Sequence, residues 1–448
     1  MTAEQQWTTQ PAAAEFVHEL LDGFLEASPF VRTLRDRLLQ ETGTRLSDWV
    51  ARFTLPATGD LARRLADVGY AQVKPSLWQH AGGLFPDVEL SPHSEQRLFM
   101  KVESVADFVL AWRLMGQTVI VGDPLAPERR ACVSADGGVE CWVIERHGGA
   151  TDDPMTVLRH HEAFRLRKRD FDNDADGFAH AHELIRAGIA DLGADRACDL
   201  FFQAEREYWQ MRNRAARIQK ARQDALGMGW ANHDHHTYRS GRDNFAPMIA
   251  ILEELGFHCR ERFYAGRDAG WGAQVLEQPN VGVVIFADVD LSPEEVTGDF
   301  SHGPLPFRKE LGTVGLWCAL HGEAFLQAGM HHLECQFDYS ATREQLQRAG
   351  IESMPPFTDF PYLRQAFTRG EQWPVRPERI ERLLAAHLIT AEQAQLFRTH
   401  GAIGSHLEIL QRDDGYKGFN QTGISEIISA TDPRRMPAGR SDTALAGS

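Results

Sequence analysis

Apolar side chains recur at helical spacing through the first part of the chain. Phe16, Leu20, Leu21 and Phe24 form one stripe and Val31, Leu34, Leu38 and Leu39 a second, which predicts helix over residues 14–65. From about residue 98 to 146 the pattern changes. Thr118-Val119-Ile120-Val121 and Cys141-Trp142-Val143-Ile144 read as strands, with a turn signal at Asp136-Gly137-Gly138 between them. Residues 179–226 return to helix, and Gly227-Met228-Gly229 stops it. Beyond that point strands and helices alternate. Helices are predicted at 245–255, closed by Gly256, and at 342–349, closed by Gly350; strands are predicted at 272–276, 281–286, 316–320, 332–337 and 407–410. The stretches His235…Leu255-Gly256-Phe257 and His332…Ala349-Gly350-Ile351 both run strand, polar link, helix, glycine, extended segment. Residues 433–448 are rich in Pro, Gly, Ser and Arg and are expected to form a flexible tail.

At 448 residues the chain exceeds one ordinary core. The expected division is a mainly helical region at 1–226 with a β-rich patch near 98–146, a metal-binding domain at 227–432, and the tail. Forty-seven basic against 63 acidic side chains leave a net charge of −16, which excludes nucleic-acid binding through bulk charge. No apolar run approaches the roughly 20 residues that span a membrane. The six cysteines form no CxxC pair, and the first ten residues carry no apolar core, so a reducing cytoplasm is expected.

The candidate chemistry is in the second half. Two histidine clusters, His233-Asp234-His235-His236 and His331-His332, are followed by Glu408 in a strand-like run. Two histidines and one carboxylate on one face of a metal leave positions open for substrate and dioxygen, the arrangement of non-haem Fe(II) oxygenases. Side chains alternate along a strand, so His233, His235 and Arg239 share a face and His236 points away. The arginine suits a substrate carboxylate. Only one of His331 and His332 faces a common site. His233, His236 and His331 are either hydrogen-bonding partners that orient the ligands or ligands themselves in a shifted register. Glu323 and Glu334 rival Glu408, and Glu334 shares a strand face with His332. Phe263, Tyr264, Trp271 and Phe419 are candidate pocket walls.

Residues 329–349 are similar to the second-histidine strand and helix of the 4-hydroxyphenylpyruvate dioxygenase family. Glu408-Ile409-Leu410-Gln411-Arg412 is similar to its glutamate-ligand motif, and Gly418-Phe419-Asn420 to its tail. His235-His236-Thr237-Tyr238-Arg239 resembles the 2-oxoadipate dioxygenase/decarboxylase family, where a ligand histidine precedes a substrate-binding arginine by four. Both belong to the vicinal oxygen chelate superfamily, and the resemblance spans residues 230–433. It implies an α+β fold: a C-terminal half of paired βαβββ modules forming a curved, partly closed mixed sheet around a metal, beside a largely helical N-terminal half. It implies His235, His332 and Glu408 as ligands to Fe(II), with Mn(II), Zn(II) and Ni(II) as alternatives. It implies Arg239 as the grip on substrate and Gln395 as a substrate-facing amide, although residues 390–395 read as helix. A 2-oxo acid and dioxygen are the implied partners, and oxidative decarboxylation with hydroxylation of the product acid the implied reaction. The oligomeric state is open, a homodimer included. His331 stands where the dioxygenases have glutamine or asparagine, and Val283–Asp290 lacks an asparagine-glutamate-proline motif, so substrate contacts differ. Two other classes fit the same fold: a divalent-metal lyase or isomerase that stabilises an enolate by Lewis-acid action, and a non-catalytic small-molecule-binding protein.

Overall fold

The computed structural model of the chain describes residues 7–149, 153–420 and 432–434. The expected tail lies outside them apart from residues 433 and 434.

Two eight-stranded mixed sheets organise the chain, and each repeats one connection order twice: strand, helix, three strands. After α1 (Pro11–Ala27) and α2 (Pro29–Arg37), the first module is β1 (Val50–Pro56), α3 (Leu61–Asp67), β2 (Ala71–Gln72), β3 (Leu77–Gln79) and β4 (Asp87–Ser91). The second is β5 (Arg97–Lys101), α4 (Val105–Ala111), β6 (Ile120–Val121), β7 (Glu128–Asp136) and β8 (Val139–Arg146). Their strands lie in the order β2-β3-β4-β1-β5-β8-β7-β6. Four helices follow: α5 (Pro154–Arg165), α6 (Asp174–Leu192), α7 (Ala194–Met211) and α8 (Arg214–Asp224).

The third module is β9 (His233–Arg239), α9 (Phe245–Glu254), β10 (His258–Tyr264), β11 (Trp271–Gln278) and β12 (Val283–Asp290). Short α10 (Pro293–Val296) and buried α11 (Thr313–His321) lead to the fourth: β13 (His332–Gln336), α12 (Tyr339–Arg348), β14 (Thr358–Phe360), β15 (Leu363–Phe367) and finally β18 (His406–Arg412). Between β15 and β18 the chain inserts β16 (Gln372–Trp373), α13 (Pro377–Ala385), α14 (Ala391–His400) and β17 (Ala402–Ile403). The second sheet runs β10-β11-β12-β9-β13-β18-β15-β14, the same permutation as the first. At the centre of each sheet two module-opening strands meet antiparallel, β1 with β5 and β9 with β13.

The second half is thus an α+β assembly of paired βαβββ modules, as the resemblance implies. The first half, helix-rich as expected, adds a second such pair where only a patch near 98–146 was predicted. β1 falls inside the stretch predicted as helix because Leu46, Trp49, Val50 and Phe53 are spaced i, i+3, i+4, i+7. Leu46 and Trp49 sit in a short 3₁₀ turn and Val50 and Phe53 on the strand, so two elements together imitate one helix. Residues 316–320, predicted as strand, belong to α11. Its apolar side chains are buried all round, which erases helical periodicity.

One apolar core joins α1–α4 to the first sheet; Phe16, Phe53, Leu65, Leu98 and Phe108 meet there. A larger one joins the second sheet to α5–α9 and α11, with Phe201, Phe202, Trp209, Tyr238 and Trp317 wholly inside. Burying each such side chain contributes about 1.5–3 kcal/mol. α7 is also pinned to β9 through Glu205, which accepts from Arg167 (3.0 Å), Arg169 (2.5 Å) and the Tyr238 hydroxyl (3.1 Å). Among the described residues no helix is long and apolar enough to cross a membrane.

Candidate metal centre

Alternation places His235, Thr237 and Arg239 of β9 on the inner face of the second sheet, beside His332 and Glu334 of β13 and His406 and Glu408 of β18. The pairing then aligns them laterally. Glu334 is the register partner of both His235 and Glu408, and His332 is the partner of Thr237. One donor atom from each of His235, His332, Glu334 and Glu408 lies within 4.8 Å of every other, and all four residues are buried. The expected ligands therefore converge, and the rival Glu334 joins them rather than displacing Glu408.

His235 Nε2 lies 2.6 Å from Glu334 Oε2, and His332 Nε2 lies 2.8 Å from Glu408 Oε2 and 2.8 Å from Thr237 Oγ1. Gln365 of β15 donates to Glu408 Oε1 (3.1 Å) and Glu334 Oε1 (3.4 Å). Burial pushes both imidazoles below their ordinary value, so they are neutral at pH 7 and have lone pairs to offer a metal. Burial pushes Glu408 up to about 7, and burial together with the Glu408 charge pushes Glu334 well above the carboxylate range. Two carboxylates directly opposite on adjacent strands repel each other. Among the described residues neither has an arginine or lysine partner within ion-pair distance. This donor set of nitrogen and oxygen fits a divalent transition metal, whose charge would reverse the repulsion.

Asp234 fixes the tautomer of His235. Its Oδ1 accepts from His235 Nδ1 (3.2 Å), which leaves Nε2 facing the cluster. Against the penalty of burial, the Arg412 guanidinium (3.0 and 3.1 Å) and the His235 bond hold Asp234 well below the usual carboxylate range. Nothing in the chemistry of a lone aspartate between two histidines signals this role.

The cavity at the cluster has a volume of about 50 Å³. Phe263, Trp271, Phe286, Phe357, Phe367 and Phe419 wall it, with Asp288 and Asn420 at its margin. Three of the four expected aromatics line it; Tyr264 does not. Arg239 is buried behind Asp288, its Nε 3.7 Å from Asp288 Oδ2, and its Nε and Nη1 have no hydrogen-bond partner among the described residues. Burial pushes Asp288 up to about 8.

Other expectations are corrected. Gln395 sits on the exposed face of α14, bonded to Thr399 and away from the cluster. The amide that reaches the carboxylates is Gln365, which no motif announces. His233 departs from the face of His235 because the β9–β13 register shifts at Glu334/Cys335, and its ring packs 5.1 Å from that of His236. His236 points to the opposite side and donates from Nδ1 to Val284 O (3.3 Å). His331 donates from Nδ1 to Gly404 O (3.0 Å) and packs edge-on against His332 with ring centroids 5.1 Å apart. Glu323 is buried elsewhere, accepting from Ser240, Gly241 and Asn244.

No protein-family profile and no curated protein matches the chain. Solved structures similar to it include three enzymes. Hydroxyglutarate synthase from Oryza sativa, in complex with 2-oxoadipate, is 13% identical, over 53% of this chain and 94% of that one, with a TM-score of 0.35. A mutant 4-hydroxymandelate synthase from Streptomyces coelicolor is 12% identical over 75% and 98%, with a TM-score of 0.31. Methylmalonyl-CoA epimerase from Mycobacterium tuberculosis is 13% identical over 41% and 88%, with a TM-score of 0.24.

Proposed function

We propose that the protein is a non-haem Fe(II)-dependent dioxygenase that oxidatively decarboxylates a 2-oxo acid and hydroxylates the resulting acid. The observation that carries this reading is the convergence of His235, His332 and Glu408 on one buried, aromatic-walled cavity. Fe(II) held by these three would supply Lewis-acid and redox chemistry toward a chelating 2-oxo acid and dioxygen. The chain's own residues do the rest. Asp234 keeps Nε2 of His235 free for coordination, and Gln365 holds Glu408 in place. The phenylalanines and Trp271 exclude water and strengthen every charge interaction inside. Arg239, with unsatisfied N–H groups behind Asp288, supplies positive charge for the substrate carboxylate.

One observation favours a second reading. Were Glu334 to hold the ion together with His235, His332 and Glu408, four side chains would be committed to it, leaving less room for dioxygen beside a chelating substrate. That arrangement suits a lyase or isomerase that stabilises an enolate. Reconstitution with Fe(II) without air, followed by oxygen uptake across a panel of 2-oxo acids, separates the two. The dioxygenase consumes oxygen and releases carbon dioxide with at least one acid. His235→Ala, His332→Ala and Glu408→Ala each lose bound iron, while Glu334→Gln keeps it. Turnover with Mn(II), Ni(II) or Zn(II) under argon, with iron lost in Glu334→Gln, establishes the Lewis-acid enzyme instead. Absence of metal binding in the wild-type protein ends both readings.

A further inference from the structure

A second cavity, of about 250 Å³, lies between the two sheets, away from the metal ligands. Its floor is the end of the first sheet's inner face, where Lys101 of β5 and Arg146 of β8 emerge. Arg206 of α7 and His233 at the start of β9 close it, with apolar contacts from Val102, Ile144, Trp230 and Val283.

Its electrostatics are unbalanced. Lys101, Arg146 and Arg206 have no carboxylate within ion-pair distance among the described residues. The two acids in the lining are already engaged, Glu103 by Lys220 (2.9 Å) and Asp199 by His147 (3.3 Å). Asp48 and Asp234, which also act on Lys101, are held by Arg45 (2.7 Å) and Arg412 (3.0 Å). Arg206 is only 7% exposed, and among the described residues its side chain makes one hydrogen bond, from Nη1 to His236 Nε2 (3.3 Å). Its Nε, and Nδ1 of His233, are buried with no hydrogen-bond partner among the described residues. A chain of net charge −16 that buries an arginine and gathers two further cations at one cavity, none of them ion-paired among the described residues, leaves that cavity suited to an anion.

We propose that this cavity binds a compact dianion, a phosphate group or a dicarboxylate, through Lys101, Arg146 and Arg206, independently of the metal centre. Guanidinium and ammonium donors converging on one space match the several acceptor oxygens of such a ligand, while its volume excludes a polymer.

Calorimetric titration and thermal unfolding of the whole protein with phosphate and with succinate test this, with acetate and chloride at matched ionic strength as controls. Saturable binding of phosphate, of succinate or of both is expected, without the same response to the controls; which of them binds identifies the source. Lys101→Met and Arg146→Met should each weaken binding about tenfold or more, and Lys101→Arg should retain it. Glu408→Gln should leave it unchanged, which separates this site from the metal cavity. Should Lys101→Met fail to fold, Arg146→Met, at an exposed position, decides the matter. Equal responses to chloride, undiminished binding in Arg146→Met, or loss of binding in Glu408→Gln would each overturn the proposal.

Discussion

Asp234 offers no atom to the four-residue cluster, yet it determines which nitrogen of His235 faces that cluster. Replacing it with asparagine removes the negative charge that makes His235 a better donor. Asp234→Asn should therefore weaken metal binding roughly 10–100-fold with the fold intact, as read by chelator competition and circular dichroism. Glu323 makes a different prediction. Burial pushes it up to about 7, against ~4.3 in an unfolded chain. A carboxyl group raised in the folded state favours folding fully below ~4.3 and loses that contribution as pH rises through about 7. Denaturant titrations across this window should show Glu323→Gln flattening the decline in stability by up to ~1.4 kcal/mol per pH unit. At this scale the resemblance, rather than alternation, singled out His235 and His332 within the two histidine clusters, which were legible in the sequence together with Glu408. Gln365 was not, because a polar residue on a strand has no mark until its partner strand is known.

At the scale of elements, α11 shows what local reading misses. Its N-terminus is capped by a carboxylate from β12: Asp290 accepts from the N–H groups of Gly312 (2.9 Å), Val314 (3.0 Å) and Gly315 (2.8 Å). The cap lies more than twenty positions upstream, and the residue preceding the helix is Gly312, which has no side chain to cap it, so nothing adjacent announced it. Asp290→Ala should cost about 1–2 kcal/mol, measured as a lowered urea midpoint with unchanged slope. The link between α7 and β9 is stiffer. Removing Glu205 leaves Arg167 and Arg169 buried without their counter-charge, and Glu205→Ala should destabilise the protein by about 3–5 kcal/mol. The module helices α9 and α12, each ended by a glycine with positive φ, were readable because their caps are local.

Across the whole molecule the same strand order appears twice, but among the described residues only the second sheet gathers a buried cluster of metal donors on its inner face. The corresponding face of the first sheet carries ion pairs and cations over rings instead, such as Arg97 with Glu140 (2.7 Å) and Arg52 over Phe99 (4.4 Å). Strands as short as β2 and β3 are too brief to show alternation, which hid the first module from the sequence. The helices α5–α8 share the larger core with the second sheet, so residues 227–448 expressed alone should aggregate, while the whole chain unfolds cooperatively by circular dichroism. His235 comes from the third module, and His332, Glu334 and Glu408 all come from the fourth. A cation bound among them would rivet two bodies whose backbones otherwise meet along a single seam, β9 against β13. Its affinity and their docking then become one thermodynamic quantity: stripping the ion should let the halves melt apart, and anything that pries the seam open should release the ion.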